Sequence, residues 1–362
     1  MNGYFFTGFP GFICQQLVHE LLETRKDIHH LFLLVLPTQK NISASLIQKL
    51  KSAYPNTSFH LIEGDITKQN LNLNNEDHLL IRENVQYVFH LAAIYDLAVK
   101  KEIATHVNVN GTQQVVNLLP SLPYLKRFVY FSTAYVAGKR GGTIFERELV
   151  HQEGFKNHYE ETKYLAEIIV NQAKNNLPVT IIRPGIVKGH SLTGATIKFD
   201  GPYLMLNFLD HLRFLPVIPH LGKGEAEFNV VPIDYIVKST CYLTHSEAAL
   251  GKTLHLTNPH PITMREAYSV LMEKLLKRAP RGSLPLQMAK LFLQVPSARK
   301  WLRVEKEALD YFTWRGSFDC SEAQNILKDG GIVCPRFIDT AETMVKYYVE
   351  HKDDNVKHIH IS

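Results

Sequence analysis

The feature that most constrains this chain is an alternation. Short apolar runs take turns with stretches of helical periodicity along its whole first half. Residues 4–7 form the first apolar run. Residues 12–24 then place Ile13, Leu17, Val18, Leu21 and Leu22 on one helical stripe. Residues 30–36 are continuously apolar, the pattern of a strand covered on both faces. The series continues with a helix over 43–54, strands at 58–63 and 87–93, a helix over 108–119, a strand at 128–132, a helix over 159–174 and a strand at 179–183. Strands that alternate with helices build a parallel sheet with helices on both faces. The right-handed crossover rule then favours an α/β, doubly wound arrangement.

Beyond Pro184 the pattern loosens. Glycines and prolines punctuate residues 185–224, and helices are predicted at 264–277, 286–293, 321–328 and 337–351. The chain therefore divides into a sheet domain, residues 1–185, and a smaller C-terminal substrate-binding lobe, residues 186–351, interleaved with the sheet. A polar tail at 352–362 is expected to fray.

Charge narrows the partners. Forty basic residues against 35 acidic ones leave a net charge of +5, too little to point to nucleic acid. Cys14, Cys241, Cys320 and Cys334 form no C-x-x-C pair and have no histidines at ligand spacing, so reduced thiols and no metal site are expected. The 18 histidines are scattered; His29, His30, His358 and His360 read as solvated surface. The first residues carry no basic leader and no run reaches the ~20 apolar residues of a bilayer span, so a cytoplasmic protein is expected.

Thr7-Gly8-Phe9-Pro10-Gly11-Phe12-Ile13-Cys14 directly follows the first strand and opens the first helix. Gly8 permits a tight turn, and Gly11 lets backbone approach a pyrophosphate at the helix N-terminus. This is the placement of a dinucleotide-binding (Rossmann) turn, with Cys14 at the third glycine position and Pro10 lacking an N–H. The end of the second strand, Val35-Leu36-Pro37-Thr38-Gln39-Lys40, has no carboxylate for a ribose 2′-hydroxyl. Thr38 and Lys40 suit a 2′-phosphate, which favours NADPH and leaves NAD open. Asp65 and Ile66 follow the third strand, either beside an adenine or as a simple turn.

Tyr159 and Lys163 stand four residues apart on one helix face. Carbonyl reduction needs a hydride and a proton, and a tyrosine hydroxyl titrates near 10. A lysine ammonium one turn away is expected to favour the phenolate. Ser132 and Thr133 end the preceding strand and supply a hydroxyl to hold a substrate oxygen. Tyr135 and Lys139 share the spacing, but Gly138, Gly141 and Gly142 make that segment a loop. Arg183-Pro184-Gly185-Ile186-Val187 either brings backbone to the nicotinamide face or merely ends a strand.

Together these residues resemble the extended short-chain dehydrogenase/reductase superfamily. The resemblance rests on Thr7-Gly8…Gly11, Asp65-Ile66, His90-Leu91-Ala92-Ala93, Asn108-Val109-Asn110-Gly111-Thr112, Ser132-Thr133, Tyr159/Lys163 and Arg183-Pro184-Gly185. A narrower likeness joins Leu91-Ala92-Ala93-Ile94-Tyr95-Asp96, Gly189-His190-Ser191-Leu192-Thr193-Gly194, Asp200-Gly201-Pro202-Tyr203, Asn229-Val230-Val231-Pro232-Ile233-Asp234 and Phe318-Asp319. These are similar to bacterial fatty acyl-CoA reductases and thioester reductase domains. That likeness implies NADPH-dependent reduction of a fatty acyl thioester, carried by CoA or acyl carrier protein, to aldehyde and conceivably on to alcohol. It implies Thr133, Tyr159 and Lys163 as catalytic residues. It implies a cofactor held by residues 7–13, Thr38, Lys40, Asp65, Ile66, Leu91, Ala92, Ala93, Asn108, Ser132, Tyr159, Lys163, Pro184, Gly185 and Val187.

Two other functions stay open: a reductase, dehydrogenase or epimerase acting on a ketone, sterol or sugar nucleotide, and a cofactor-sensing protein without catalysis. Apolar residues in a loop read at 201–221 suit either an acyl channel or core. The stretch 286–304, basic residues among apolar ones, suits either peripheral membrane contact or ordinary packing. The oligomeric state has no signature in the sequence.

Overall fold

A computed structural model describes residues 2–359. Seven parallel strands form its central sheet: β1 (Asn2–Thr7), β2 (Ile28–Val35), β3 (Ser58–Glu63), β4 (Tyr87–His90), β5 (Arg127–Phe131), β6 (Val179–Pro184) and β7 (Thr253–Leu256). Their spatial order is β7-β6-β5-β4-β1-β2-β3. The order reverses between β1 and β4, so a crevice opens beyond the C-terminal ends of those two strands. The register keeps the ends level: Thr7 pairs with Leu34 and His90, and His90 with Tyr130.

Helices cover both faces. On one, Leu17 and Leu21 from helix Phe12–Thr24 pack with Ile236 and Leu243 from helix Ile233–His245 and with Leu327 from helix Ser321–Asp329. On the other, Val115 and Leu118 from helix Gly111–Leu118 meet Ala166 and Val170 from helix His158–Ala173. The second half of the chain is thus shared. Residues 230–257 and 321–334 return to the sheet. Helices Tyr203–His211, Met264–Leu276 and Phe337–His351 build a second core around Leu206, Leu271 and Met344.

Two expectations need correction. The region 201–221 is not a loop; Tyr203–His211 is a helix that starts beside Gly201 and Pro202. Residues 352–359 do not fray either. The Phe199 N–H donates to the Lys357 carbonyl, and the Lys357 ammonium donates to the Thr196 carbonyl and the Tyr347 hydroxyl, which pins the segment to the lobe. His358 is half-buried against Phe199, and His360 lies outside the described residues. All four cysteines are buried and unpaired.

Candidate active site

A single cavity of about 750 Å³ runs from the crevice at the strand ends into the second core. Its floor is the turn after β1. Gly8 has φ +96°, a left-handed value that disfavours any side chain, and an added Cβ would stand 2.8 Å from the Ala92 nitrogen. The Gly11 N–H donates to the Gly8 carbonyl at 2.7 Å, and helix Phe12–Thr24 starts there with no side chain capping its first turn. Free N–H groups at a helix start, over a turn with no room for a Cβ, make a cradle that fits a dinucleotide pyrophosphate. Gly8→Ala is expected to weaken binding of a nicotinamide dinucleotide about tenfold or more, since a non-glycine residue in the left-handed region carries ~1–2 kcal/mol of strain. A fluorescence titration with NADPH measures this; unchanged affinity would count against the cradle.

Thr7 and Phe9 lie behind that surface. Phe9 is core. The Thr7 hydroxyl contacts the His90 Nδ1 at 2.7 Å, and His90 Nε2 contacts the Thr112 hydroxyl at 3.0 Å. Thr112 already donates to the Asn108 carbonyl, so His90 carries its proton on Nε2. Burial pushes His90 down to about 3 and keeps it neutral. This buried chain ties β1, β4 and the following helix together under the crevice.

The wall opposite the cradle belongs to helix His158–Ala173. Asn157 caps it, accepting from the Glu160 N–H at 2.9 Å, and Glu160 and Glu161 in the first turn suit the positive end of the helix dipole. Tyr159 sits in that turn and faces the cavity, with its ring edge-on to Tyr95 at 5.1 Å. Thr133, just past β5, borders the cavity with Tyr159, and its hydroxyl accepts from the Tyr135 N–H at 3.3 Å. Lys163, one turn on, is 4 % exposed and donates to the Phe131 carbonyl at 2.6 Å and the Tyr130 hydroxyl at 2.9 Å.

The electrostatics differ from expectation. Burial raises the Tyr159 hydroxyl well above its ordinary value, and the Thr133 hydroxyl only partly offsets it. Burial also pushes Lys163 down to about 7, and its ammonium turns to the Phe131 carbonyl and the Tyr130 hydroxyl instead of the Tyr159 hydroxyl. Tyr159 therefore rests as a protonated phenol, the form an acid needs.

The structure divides the remaining candidates. Pro10, Phe12, Ile13, Leu91, Ala93, Ser132, Pro184, Gly185 and Val187 border the cavity with Gly8 and Gly11. Gly185 is needed for close approach, because a Cβ would meet Asn229 at 2.9 Å. The Asp65 carboxylate accepts from the Thr67 N–H and hydroxyl, each at 2.8 Å, and closes the turn after β3. Ile66 is core, pressed on Gly111. Ala92 gives its N–H to Thr7, and Asn108 bridges Ile94 and Thr162, both away from the cavity surface. Thr38 is exposed on a short turn, and the Lys40 ammonium is paired with Glu63. That carboxylate stands at the end of the adjacent strand, a neighbour that sequence spacing does not reveal. Gln39 and the ring of Tyr135, which sequence reasoning passed over, do border the cavity.

Behind the wall that carries Tyr159 lies a buried polar knot. Glu167 and Arg183, each 1 % exposed, pair at 2.6 Å. The Ser132 hydroxyl donates to Glu167 and so is not free for a substrate oxygen. Arg183 also donates to His255 Nε2 at 3.1 Å, which leaves the Nδ1 proton of His255 for the Asp319 carbonyl at 2.6 Å.

The far end of the cavity is apolar. Leu204, Met205 and Phe208 present one face of helix Tyr203–His211 to it, while Leu206 and Leu209 on the other face are fully buried in core. Channel and core thus share one helix. Residues from 284–312 roof the chamber, among them Phe292, Leu309 and Tyr311.

An NAD-binding family model described as Male sterility protein matches residues 6–240. The chain belongs to that family. It is, with the other male sterility proteins, a member of the extended short-chain dehydrogenase/reductase superfamily. Among curated proteins it is 28% identical over 275 residues to Fatty acyl-CoA reductase wat of Drosophila melanogaster, covering 66% of this chain and 53% of that one. It is 24% identical over 278 residues to Fatty acyl-CoA reductase 2 of Bos taurus, covering 65% and 52%. The chain thus spans about half the length of the curated relatives it matches. Among solved structures, the terminal R domain from the myxalamid PKS-NRPS biosynthetic pathway superposes with a TM-score of 0.81 at 24% identity, over 99% of this chain and 93% of that one. The likeness places the fold of this male sterility family member among such domains. Among the described residues no cluster of metal-ligating side chains occurs, and no helix is long and apolar enough to cross a membrane.

Proposed function

We propose that this chain is an NADPH-dependent reductase of fatty acyl thioesters. The observation that carries the reading is the continuity of the cavity: the Tyr159 and Thr133 hydroxyls stand at one end, and the apolar walls of Leu204, Met205 and Phe208 lead away from them. A thioester carbonyl at the hydroxyls directs its hydrocarbon chain along those walls. A sugar nucleotide would leave its polar groups unpaired there.

NADPH bound over the cradle supplies the hydride. The hydroxyls of Thr133 and Tyr159 hold the carbonyl oxygen as negative charge develops on it, a role worth ~10²–10³ in rate per donor in other sites. Tyr159, kept protonated by its burial, gives that oxygen its proton. The resulting hemithioacetal loses thiol and becomes aldehyde. The same tyrosine, reprotonated, would serve a second reduction to alcohol, for which a second NADPH must supply the hydride. Lys163 holds the wall of the site through Phe131 and Tyr130. NADPH in preference to NADH is supported by the carboxylate-free segment 35–40. The half-exposed Lys40–Glu63 pair is a weak tether, worth ~0–1 kcal/mol, that a 2′-phosphate can displace.

The test is NADPH oxidation with a panel of acyl-CoAs, run also with NADH, with aldehyde and alcohol identified. Turnover of a ketone or sugar nucleotide but of no acyl-CoA would overturn the reading. Within the panel, Leu204→Trp is expected to shift the preference toward shorter chains by filling the apolar arm. An unchanged chain-length profile would remove that arm from the substrate path.

A further inference from the structure

The roof of the cavity has an outer surface that a protein in water alone does not need. Helix Leu286–Phe292 buries Leu286 and Ala289 inward, yet its outward residues are also apolar: Met288 is 58 % exposed and Leu291 66 %. Phe292, Val295, Trp301 and Phe214 extend the patch, at 46–69 % exposure. A surface helix ordinarily presents polar residues to solvent, and contiguous exposed apolar groups mark an interaction face.

The pieces are joined. The Phe214 and Trp301 rings are 6.5 Å apart. Arg278 donates to the carbonyls of Arg213 and Leu215, and residues His220–Leu221 pair with Ser283–Leu284. Basic residues also dominate the segment that builds the patch, although Lys274 pairs with Glu342 and Lys290 with Asp310. From Lys274 to Val304 the chain has eight basic residues and no carboxylate. Phe292 belongs to both surfaces, bordering the cavity and standing 51 % exposed outside it.

We propose that this face, built from segments 213–217 and 278–303, docks on an anionic lipid bilayer and opens the acyl chamber toward it. Aromatic and aliphatic side chains ringed by lysine and arginine match the boundary between acyl chains and anionic headgroups. The purpose assigned to docking rests on the acyl-thioester reading, since a long-chain thioester resides in such a layer. The docking itself stands on the patch alone. Phe292 at the lip then sits where hydrocarbon begins.

Flotation with vesicles tests it directly, on the purified chain without substrate. Vesicles of phosphatidylcholine and phosphatidylglycerol in a three-to-one mixture are compared with phosphatidylcholine alone. The wild type is expected to float with the anionic vesicles and to bind the neutral ones about tenfold or more weakly. Met288→Asp with Leu291→Asp, and separately Arg281→Glu with Lys300→Glu, are each expected to lower anionic-vesicle binding by about tenfold or more while turnover of a short, water-soluble acyl-CoA is retained. These four side chains lie outside the cavity. Wild-type protein left in the aqueous fraction with both vesicle types overturns the proposal, as do variants that bind as well as the wild type. If the aspartate pair instead converts a dimer to a monomer in light scattering without vesicle binding, the face joins two copies and the proposal fails. Capture of an acidic acyl carrier protein without vesicle binding sinks it equally. Vesicle binding without any acyl-CoA turnover leaves docking intact and rejects the substrate reading.

Discussion

Replacing Tyr159 with phenylalanine is expected to lower NADPH-dependent turnover by about 10²–10⁴-fold, the usual contribution of a positioned proton donor. Cofactor affinity should stay close to wild type, because the ring remains to pack against Tyr95 and only the hydroxyl is lost. The two readouts separate chemistry from folding: stopped-flow turnover falls while an NADPH titration does not. The effect should appear in kcat and kcat/KM together, as it does when an interaction made at the reacting atom is removed. Wild-type turnover in this variant would transfer the proton donation to another group and undo the assignment.

The second large effect concerns stability. Glu167→Ala is expected to cost about 3–5 kcal/mol, because it leaves the Arg183 guanidinium buried without its carboxylate. Arg183 is 1 % exposed and has no water to turn to. The Ser132 hydroxyl loses its acceptor in the same change, which loosens the strand end that carries Thr133. A double replacement, Glu167→Leu with Arg183→Met, should recover much of the loss, since an apolar pair of similar volume removes both charges at once. Urea unfolding of Glu167→Leu, Arg183→Met and their double measures the coupling. Singles that unfold at the wild-type midpoint would show that the pair contributes nothing.

The sheet was legible in the sequence wherever strands were buried on both faces. Residues 30–36 read as a strand because nothing polar follows His30 in the run, and β2 spans Ile28–Val35. β7 escaped notice for the opposite reason. Its four residues include Thr253 and His255, and that histidine is polar because Arg183 across the sheet needs an acceptor. Helix Asn75–Asn84 was equally hidden, with Ile81 its one fully buried residue among mostly polar ones. Gly201 and Pro202 disguised helix Tyr203–His211 as loop.

The site divides along the same line. Tyr159 and Lys163 were readable because they lie one helical turn apart, and helical period is local. The Glu167–Arg183 pair joins a helix to a strand, and no period relates the two. The wrong expectation for the pKa of Tyr159 had a similar source. Spacing gave the distance between the two Cα atoms but not where the ammonium points, and Lys163 points to Phe131. The Glu63 beside Lys40 comes from the register of β2 on β3, in which Val35 pairs with Glu63.

One cluster of contacts joins the helix that carries Tyr159 to the chamber roof. Lys156 lies 5.0–5.6 Å from the ring centres of Tyr135, Tyr311 and Trp314 and pairs with Glu160 at 3.0 Å, while the Tyr311 hydroxyl donates to the same carboxylate at 2.8 Å. Glu160 is the residue after Tyr159. The roof is therefore tied, through Glu160, to the residue beside it, Tyr159. On the acyl-thioester reading proposed above, a chain bulky enough to displace Tyr311 is expected to shift Tyr159 with it, so that turnover would fall with substrate girth.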